Sequence, residues 1–303
     1  MYVSPAPWTP SLLCAESGGQ STRRNVVVPL FDGMATDRTV EFAASIADEW
    51  EGDVILANPV VRPSGTQFDG SDDLLDEHQK TAERALKTTL GPNTGVETRG
   101  TARVGRSLPS IVGEVSQDCS AGAVVIDDPG SATRSNPLGR NVPARLACSV
   151  DCDVLTVGGS HASKTISSVL VPVSGGPHSG LAVDVARYVA QAHGAWVELL
   201  HVIETGADER RRDDAEEYVS AARDRLGEFD DFDTWVLEAD DATDAIIEQS
   251  KYYDMTVMGA PQKGRLREFV FGSTIGEVRS SAHNTVVTVE RPHERDSLLG
   301  RWL

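Results

Sequence analysis

Lysine is scarce in this chain of 303 residues. Only Lys80, Lys87, Lys164, Lys251 and Lys263 stand among 28 basic residues, against 46 carboxylates, and the formal net charge is -18. A surface of that sign repels nucleic acid and anionic membrane, so neither is expected as a partner. Carboxylates in abundance with Arg favoured over Lys suggest a cytoplasmic protein from an organism that keeps molar salt inside. At about 1 M salt the Debye length falls to about 3 Å and self-repulsion shrinks. Long apolar runs are also missing: the longest are strand-length, so no segment is expected to span a bilayer. Residues 1–23 lack a basic start followed by an apolar core, which argues against a secretory signal, and they read as a disordered leader. Cysteine is limited to Cys14, Cys119, Cys148 and Cys152, with no CxxC pair and no histidine at zinc spacing. Cys148 and Cys152, four apart, would share a helix face as idle thiols, and no metal site is expected. A Walker A loop and a GxGxxG fingerprint are both absent. The seven histidines form no Ser-His-Asp or Cys-His arrangement, and no carboxylate pair is spaced for acid–base work, so an enzyme is not expected. His201 reads as a satisfied sheet residue rather than a base.

What the chain does have is repetition. "NVVVPLFDG" (25–33) and "SVLVPVSGG" (168–176) are each a β-rich run broken by Pro and then Gly. Each precedes a helical stripe, Val40, Ala43, Ala44 and Ala47 in one and Leu181, Val185, Val189 and Ala192 in the other, closed by Gly52 or Gly194. A second strand follows each time, "DVILANPVV" (53–61) and "WVELLHVI" (196–203). Charged helical stretches come next, about 71–90 and 208–227, the second with Ala215, Val219, Ala222 and Leu226 along one face. "TRGTARVG" and "DTWVLEA" read as third strands, and "SLPSIVGEVSQ" and "DATDAIIEQS" as third helices. "AGAVVIDD" and "YDMTVMGA" read as fourth strands, "DCDVLTVGG" and "NTVVTVERP" as fifth. Strands alternating with helices, twice over, imply two tandem doubly wound parallel α/β sheets with helices on both faces. Domains are expected at 24–159 and 164–292, joined by a linker at 160–163 within the Gly/Ser-rich "GGSHASKT" and followed by a tail, 293–303. The tail carries Leu298, Leu299, Trp302 and Leu303, an apolar end that would fold back on a sheet or dock on a partner.

Candidate chemistry sits in "GAPQKGRLREFVFGST" (259–274), at the end of a fourth strand, where open α/β sheets bind ligands. Gly259 permits close backbone approach or positive φ. Gly272, Ser273 and Thr274 precede a helix start whose free amides and dipole favour an anion. Lys263, Arg265 and Arg267 could offset phosphate charge. Ordinary capping and an ordinary basic surface loop would explain the same residues.

These features resemble the universal stress protein family, over nearly all of 164–292 and more weakly over 24–159. The resemblance rests on "VLVPVS", "LLHVI", and the spacing of Gly259 to Gly272-Ser273-Thr274. It implies five parallel strands ordered 3-2-1-4-5 in each domain. It also implies an ATP or AMP site, with Mg accompanying ATP. Val173, Ser174 and Val202 would edge base and ribose, Met258 would line the same pocket, and Gly259, Gly272, Ser273 and Thr274 would hold phosphates. Gln262 stands where nucleotide-binding members have a second glycine, and Ser174 where they have Asp. In the first half Asp127-Asp128 align with Gly259-Ala260, Phe31 replaces the Asp (Asp32 comes next), and Gly139-Arg140-Asn141 replace Gly-Ser-Thr one residue short. That half is expected to bind no nucleotide. An Asp127–Asp128 pair could hold a divalent cation, although a structural role is favoured. The second domain's ending resembles halophilic archaeal members, including domains appended to amino-acid transporters. Family domains dimerise through their last strands, which implies an intramolecular pseudo-dimer pairing 154–157 with 285–289; a homodimer or protein partner is also open. A ligand-free scaffold or signalling partner, for example of a transporter, is the alternative to a nucleotide-binding regulator, and a slow ATPase a third reading.

Overall fold

A computed structural model of the chain describes residues 24–30, 37–61, 95–128, 142–159, 165–174, 176–260 and 277–292, with isolated helical positions at 77, 80 and 84. The leader, the linker, the tail, residues 31 and 32, Gly139–Asn141, most of 71–90 and the loop 261–276 lie outside the described residues. The chain divides into two compact units, Met1–Val124 with Ser149–Asp151, and Val125–Cys148 with Cys152–Leu303.

The first unit runs β1 (Asn25–Pro29), α1 (Asp37–Glu49), β2 (Val54–Val61), β3 (Thr98–Gly105), α2 (Leu108–Asp118) and the start of β4 (Ala121–Asp127). Its strands are parallel in the order β3-β2-β1-β4. Val26, Val27 and Val28 are all fully buried, a run and not an alternation, because helices cover both faces of a parallel sheet. The stripe of α1 is buried as expected: Val40, Ala43, Ala44 and Ala47, joined by Phe42 and Ile46. The stop signal differs from expectation. The left-handed residue after α1 is Glu51 (φ 50°), not Gly52. Gly52 is needed for another reason: a Cβ there would stand 1.9 Å from the carbonyl oxygen of Arg24. Ser107 caps α2, accepting a hydrogen bond from the Ser110 amide.

The second unit holds the end of β4, α3 (Val142–Ala147), β5 (Asp153–Gly159), β6 (Ser168–Pro172), α4 (Pro177–His193), β7 (Trp196–Glu204), α5 (Glu209–Leu226), β8 (Phe232–Ala239), α6 (Ala242–Gln249), a 3-10 turn (Ser250–Tyr252), β9 (Met255–Gly259), helical residues 277–281 and β10 (Thr285–Glu290). Its strand order is β5-β10-β9-β6-β7-β8. Read from the edge, β8-β7-β6-β9-β10 is the order 3-2-1-4-5 in the second repeat. The first repeat shows β3-β2-β1-β4, and β5 lies beside the end of β4, where the Asp128 amide donates to Val157 O at 2.7 Å. The fold is therefore the doubly wound α/β arrangement expected of both repeats.

β5 and β10 pair antiparallel, from Thr285 opposite Gly159 to Glu290 opposite Val154, while the other registered strand pairs are parallel. Residues 154–157 and 285–289 thus meet, and each fifth strand loses an open edge. This pairing draws β5 into the second compact unit. Gly158 and Gly159 are part of β5, not of a linker. On α4, Leu181, Val185 and Val189 are buried but Ala192 is exposed; Ala182, Ala186 and Ala190 complete the inner face instead. Gly194 closes the helix in the left-handed region, φ 64° and ψ 36°. α5 buries only Ala215, Val219, Ala222 and Leu226, as its charge pattern demands. Cys148 and Cys152 share no helix face: Cys148 is exposed in the turn after α3, and Cys152 is buried just before β5.

Candidate functional site

β6 and β9 are the central strands of the second repeat, and strand order reverses between them. Their pairing is short: Val169 with Met255 and Leu170 with Thr256. β6 continues beside β7 as far as Pro172–Leu200, and β9 beside β10 as far as Gly259–Val289. The two strands therefore part at their carboxyl ends, where doubly wound sheets receive ligands.

Val173 ends β6. It is buried, and its amide donates to Leu200 O at 2.8 Å. The Ser174 side chain is exposed, whereas its amide is engaged, donating to Ser179 Oγ at 3.2 Å. This bond folds the β6–α4 connection back onto the first turn of α4. Gly176 precedes that helix at φ 85° and ψ 170°, a backbone region open essentially to glycine alone. Met258 is 2% exposed and joins Leu170, Leu200, Ile246, Val278, Ala282 and Val286 in one apolar cluster, with half-buried Val202 packed against it. Met258 and Val202 are thus brought together on one face of the sheet, and Val173 is buried outside that cluster.

Gly259 is a glycine because of α4. A Cβ there would stand 2.6 Å from the carbonyl carbon of His178 and 2.8 Å from both His178 O and Ser179 N. Its φ is not in the left-handed region, so close approach, not backbone sign, imposes the residue. Gln262, Gly272, Ser273 and Thr274 lie outside the described residues, as do Lys263, Arg265 and Arg267.

Two residues of this rim have contacts that sequence reasoning did not assign. His178 Nδ1 accepts the amide of Arg291 at 3.0 Å, and Ser179 holds the Ser174 amide. No local signal marks either, since His178 and Arg291 are 113 positions apart. His201 behaves as a satisfied sheet residue: its Nδ1–H donates to Val173 O at 2.6 Å and its ring packs 5.4 Å from that of Tyr218. Burial pushes its pKa below the usual 6.5, against the opposing pull of the Val173 bond.

At the equivalent place in the first repeat, the amide of Asp128 bonds Val157 O as that of Ala260 bonds Val289 O, at 2.7 and 2.8 Å. The alignment of Asp127-Asp128 with Gly259-Ala260 is therefore geometrically sound. The Asp128 carboxylate takes the guanidinium of Arg279, Nε donating to Oδ2 at 2.9 Å. Among the described residues no group of three or more His, Cys, Asp or Glu side chains is gathered to hold a metal ion. No described helix is long and apolar enough to cross a membrane.

The comparisons with known proteins agree on the architecture. No curated protein sequence matches the chain. A universal stress protein from Archaeoglobus fulgidus DSM 4304 is similar in structure at 15% identity, covering 89% of this chain and 97% of that one, with a TM-score of 0.57. A functionally unknown protein from Pseudomonas aeruginosa PAO1 is similar at 16% identity, covering 90% and 95%, with a TM-score of 0.56. The cytoplasmic domain of a prokaryotic cation chloride cotransporter is similar at 12% identity, covering 91% and 99%, with a TM-score of 0.57. Likeness at these identities establishes the fold alone. In sequence, residues 165–290 match the model of the universal stress protein family. That stretch, with its strand order and parted central strands, is where the chain is similar to that family.

Proposed function

We propose that the protein is a non-catalytic, tandem universal-stress-type regulator of the cytoplasm that binds ATP or AMP in its second domain, 164–292. The first domain, 24–159, is degenerate and binds none. The observation that carries this reading is the parting of β6 and β9 at the switch point, where Met258 of β9 belongs to an apolar cluster with Val202 packed against it. An adenine ring needs such an apolar wall, and Ser174 and Val173 border it. Gln262, Gly272, Ser273 and Thr274 supply the phosphate side, with Mg accompanying ATP, and Gly259 serves by letting the backbone of α4 close on β9. In the first domain Asp127 puts a carboxylate beside the place where phosphate would come, which like charge opposes, and Asp128 is committed to Arg279. The antiparallel β5–β10 pairing supports an intramolecular pseudo-dimer of the two domains.

The engaged amide of Ser174 favours a second reading, a ligand-free scaffold or signalling partner whose nucleotide site has lapsed. Likeness to a transporter's cytoplasmic domain suits that reading in fold only. Titration of labelled ATP and AMP in high salt separates the two. Micromolar binding that Gly272→Val abolishes, with the circular dichroism unchanged, supports the nucleotide site. No binding at millimolar nucleotide leaves the scaffold. Product formation above a Gly272→Val control would make the protein a slow ATPase.

A further inference from the structure

The equivalence of Asp128 with Ala260 fixes the counterparts around them. If Val157 matches Val289, then Gly158 matches Glu290, Leu146 matches Val278, Ala147 matches Arg279 and Val150 matches Ala282. Burial agrees: Leu146 and Val278 are both 0% exposed, Val150 3% and Ala282 1%. At three linked positions the first repeat therefore has Asp, Gly and Ala, and the second has Ala, Glu and Arg. One ion pair results, Asp128 of the first repeat with Arg279 of the second, both within the second compact unit. The reciprocal positions, Ala260 and Ala147, can form none.

The Asp128–Arg279 contact is a two-point fork. Nε donates to Oδ2 at 2.9 Å, and Nη2 lies against Oδ1. The side chains are 21% and 17% exposed, so salt screens the pair less than it screens an open surface bridge. Room for the carboxylate depends on Gly158, where a Cβ would stand 2.9 Å from Asp128 Cβ and 3.1 Å from Oδ2. The helical segment 277–281 is held to the sheet by tertiary contacts. Val278 and Ala282 pin it to the sheet along one line, and Arg279, adjacent to Val278, pins it from a second direction. Two directions fix the rotation of a helix where one does not.

We propose that Asp128 is a positioning residue for the second repeat: through Arg279 it fixes the orientation of helix 277–281, and so sets nucleotide affinity in the second repeat from the first. The effect on affinity rests on the function proposed above, whereas the positioning does not. In sequence Gly272-Ser273-Thr274 end three positions before Glu277. Arg279 is already neutralised by Asp128 and is not a phosphate ligand.

The test uses the full chain with Asp128→Ala, the milder Asp128→Asn, Arg279→Ala and the double alanine variant. Two quantities are read: amide hydrogen exchange over 277–282, and the dissociation constant for ATP. Exchange over 277–282 should rise roughly tenfold in each single alanine variant and no further in the double, with β6 and β7 unchanged, since both changes remove one fork. The ATP dissociation constant should rise by about tenfold in the same variants. Gly158→Ala should reproduce both effects by crowding the carboxylate. Unchanged exchange, or effects that add in the double variant, would overturn the positioning role. Equal ATP affinity in the unaltered protein and in Asp128→Ala would overturn the coupling while leaving the nucleotide site. If the unaltered protein binds no ATP but exchange responds as expected, positioning stands and the nucleotide reading falls.

Discussion

Thr156 faces Thr288 across the antiparallel pairing of β5 and β10, and the two occupy the same place in their repeats. The register is consequently self-symmetric: Val157 opposite Val287 recurs as Val289 opposite Leu155. A local two-fold relation of this kind joins two fifth strands whose residues are almost all buried. Separately, each would present unpaired amides and carbonyls along an apolar edge.

Thr288 at that centre is 8% exposed, and its Oγ1 finds no hydrogen-bond partner among the described residues. Valine has the same shape without the unmet hydroxyl. Thr288→Val should stabilise the protein by roughly 1 kcal/mol, because it removes a desolvated polar group and keeps the β-branched packing. Urea unfolding at fixed salt measures this; a clear loss of stability would mean that the hydroxyl has a partner.

The strands were legible because parallel, doubly covered strands leave uninterrupted apolar runs, as in "VVVP", "VLVP" and "TVVTV". The third helices were read in place, and the structure starts them at Ser107 and Asp241, each accepting amides of the first turn. Contacts between distant segments were not. Gly259 looked like a ligand-facing glycine, yet the backbone of His178 and Ser179 imposes it. Asp128 looked like the decay of a phosphate site, yet Arg279, 151 positions away, uses it. Sequence periodicity reports which face is buried, not which remote group arrives there. The stop after α1 was misplaced because a non-glycine residue, Glu51, accepts positive φ one position earlier.

Glu198 of β7 stands opposite Asp233 of β8 in register, and only 8% of it is exposed. Burial, then the Asp233 charge, raise its pKa above the ordinary 4.5, while a hydrogen bond from the Tyr253 hydroxyl opposes the rise. The same surroundings push Tyr253 up to about 12. With the folded pKa raised, the folded state holds the Glu198 proton longer than the unfolded chain. Stability is thus full below 4.5 and is lost as pH rises through the folded value. Glu198→Gln should therefore raise the urea midpoint at neutral pH, and the advantage should vanish below about pH 4.5. An advantage independent of pH would assign the effect to packing.

His201 has the opposite sign. Its folded pKa lies below 6.5, so between that value and 6.5 the unfolded chain binds more protons. Its contribution is full above 6.5 and is lost as pH falls towards the folded value. His201→Gln should flatten the stability profile across this window. Because Nδ1 holds Val173 O beside Ser174, the variant should also weaken nucleotide binding modestly, by roughly threefold, through the lost β6–β7 tie. A profile as steep in the variant as in the parent would place the titration elsewhere.

Gly259→Ala tests what the glycine is for. The new methyl would meet peptide atoms at 2.6 and 2.8 Å, which no rotamer change can relieve, because these neighbours are backbone at His178 and Ser179. Either β9 or the first turn of α4 must shift, at a cost of roughly 1–3 kcal/mol. If α4 shifts, the Ser174 amide loses Ser179 Oγ and the Arg291 amide loses His178 Nδ1. Denaturation should show the stability loss with no nucleotide present, and amide exchange should rise at Ser174 and Arg291 together. A variant as stable as the parent, impaired only in ATP binding, would reassign Gly259 from helix packing to phosphate contact.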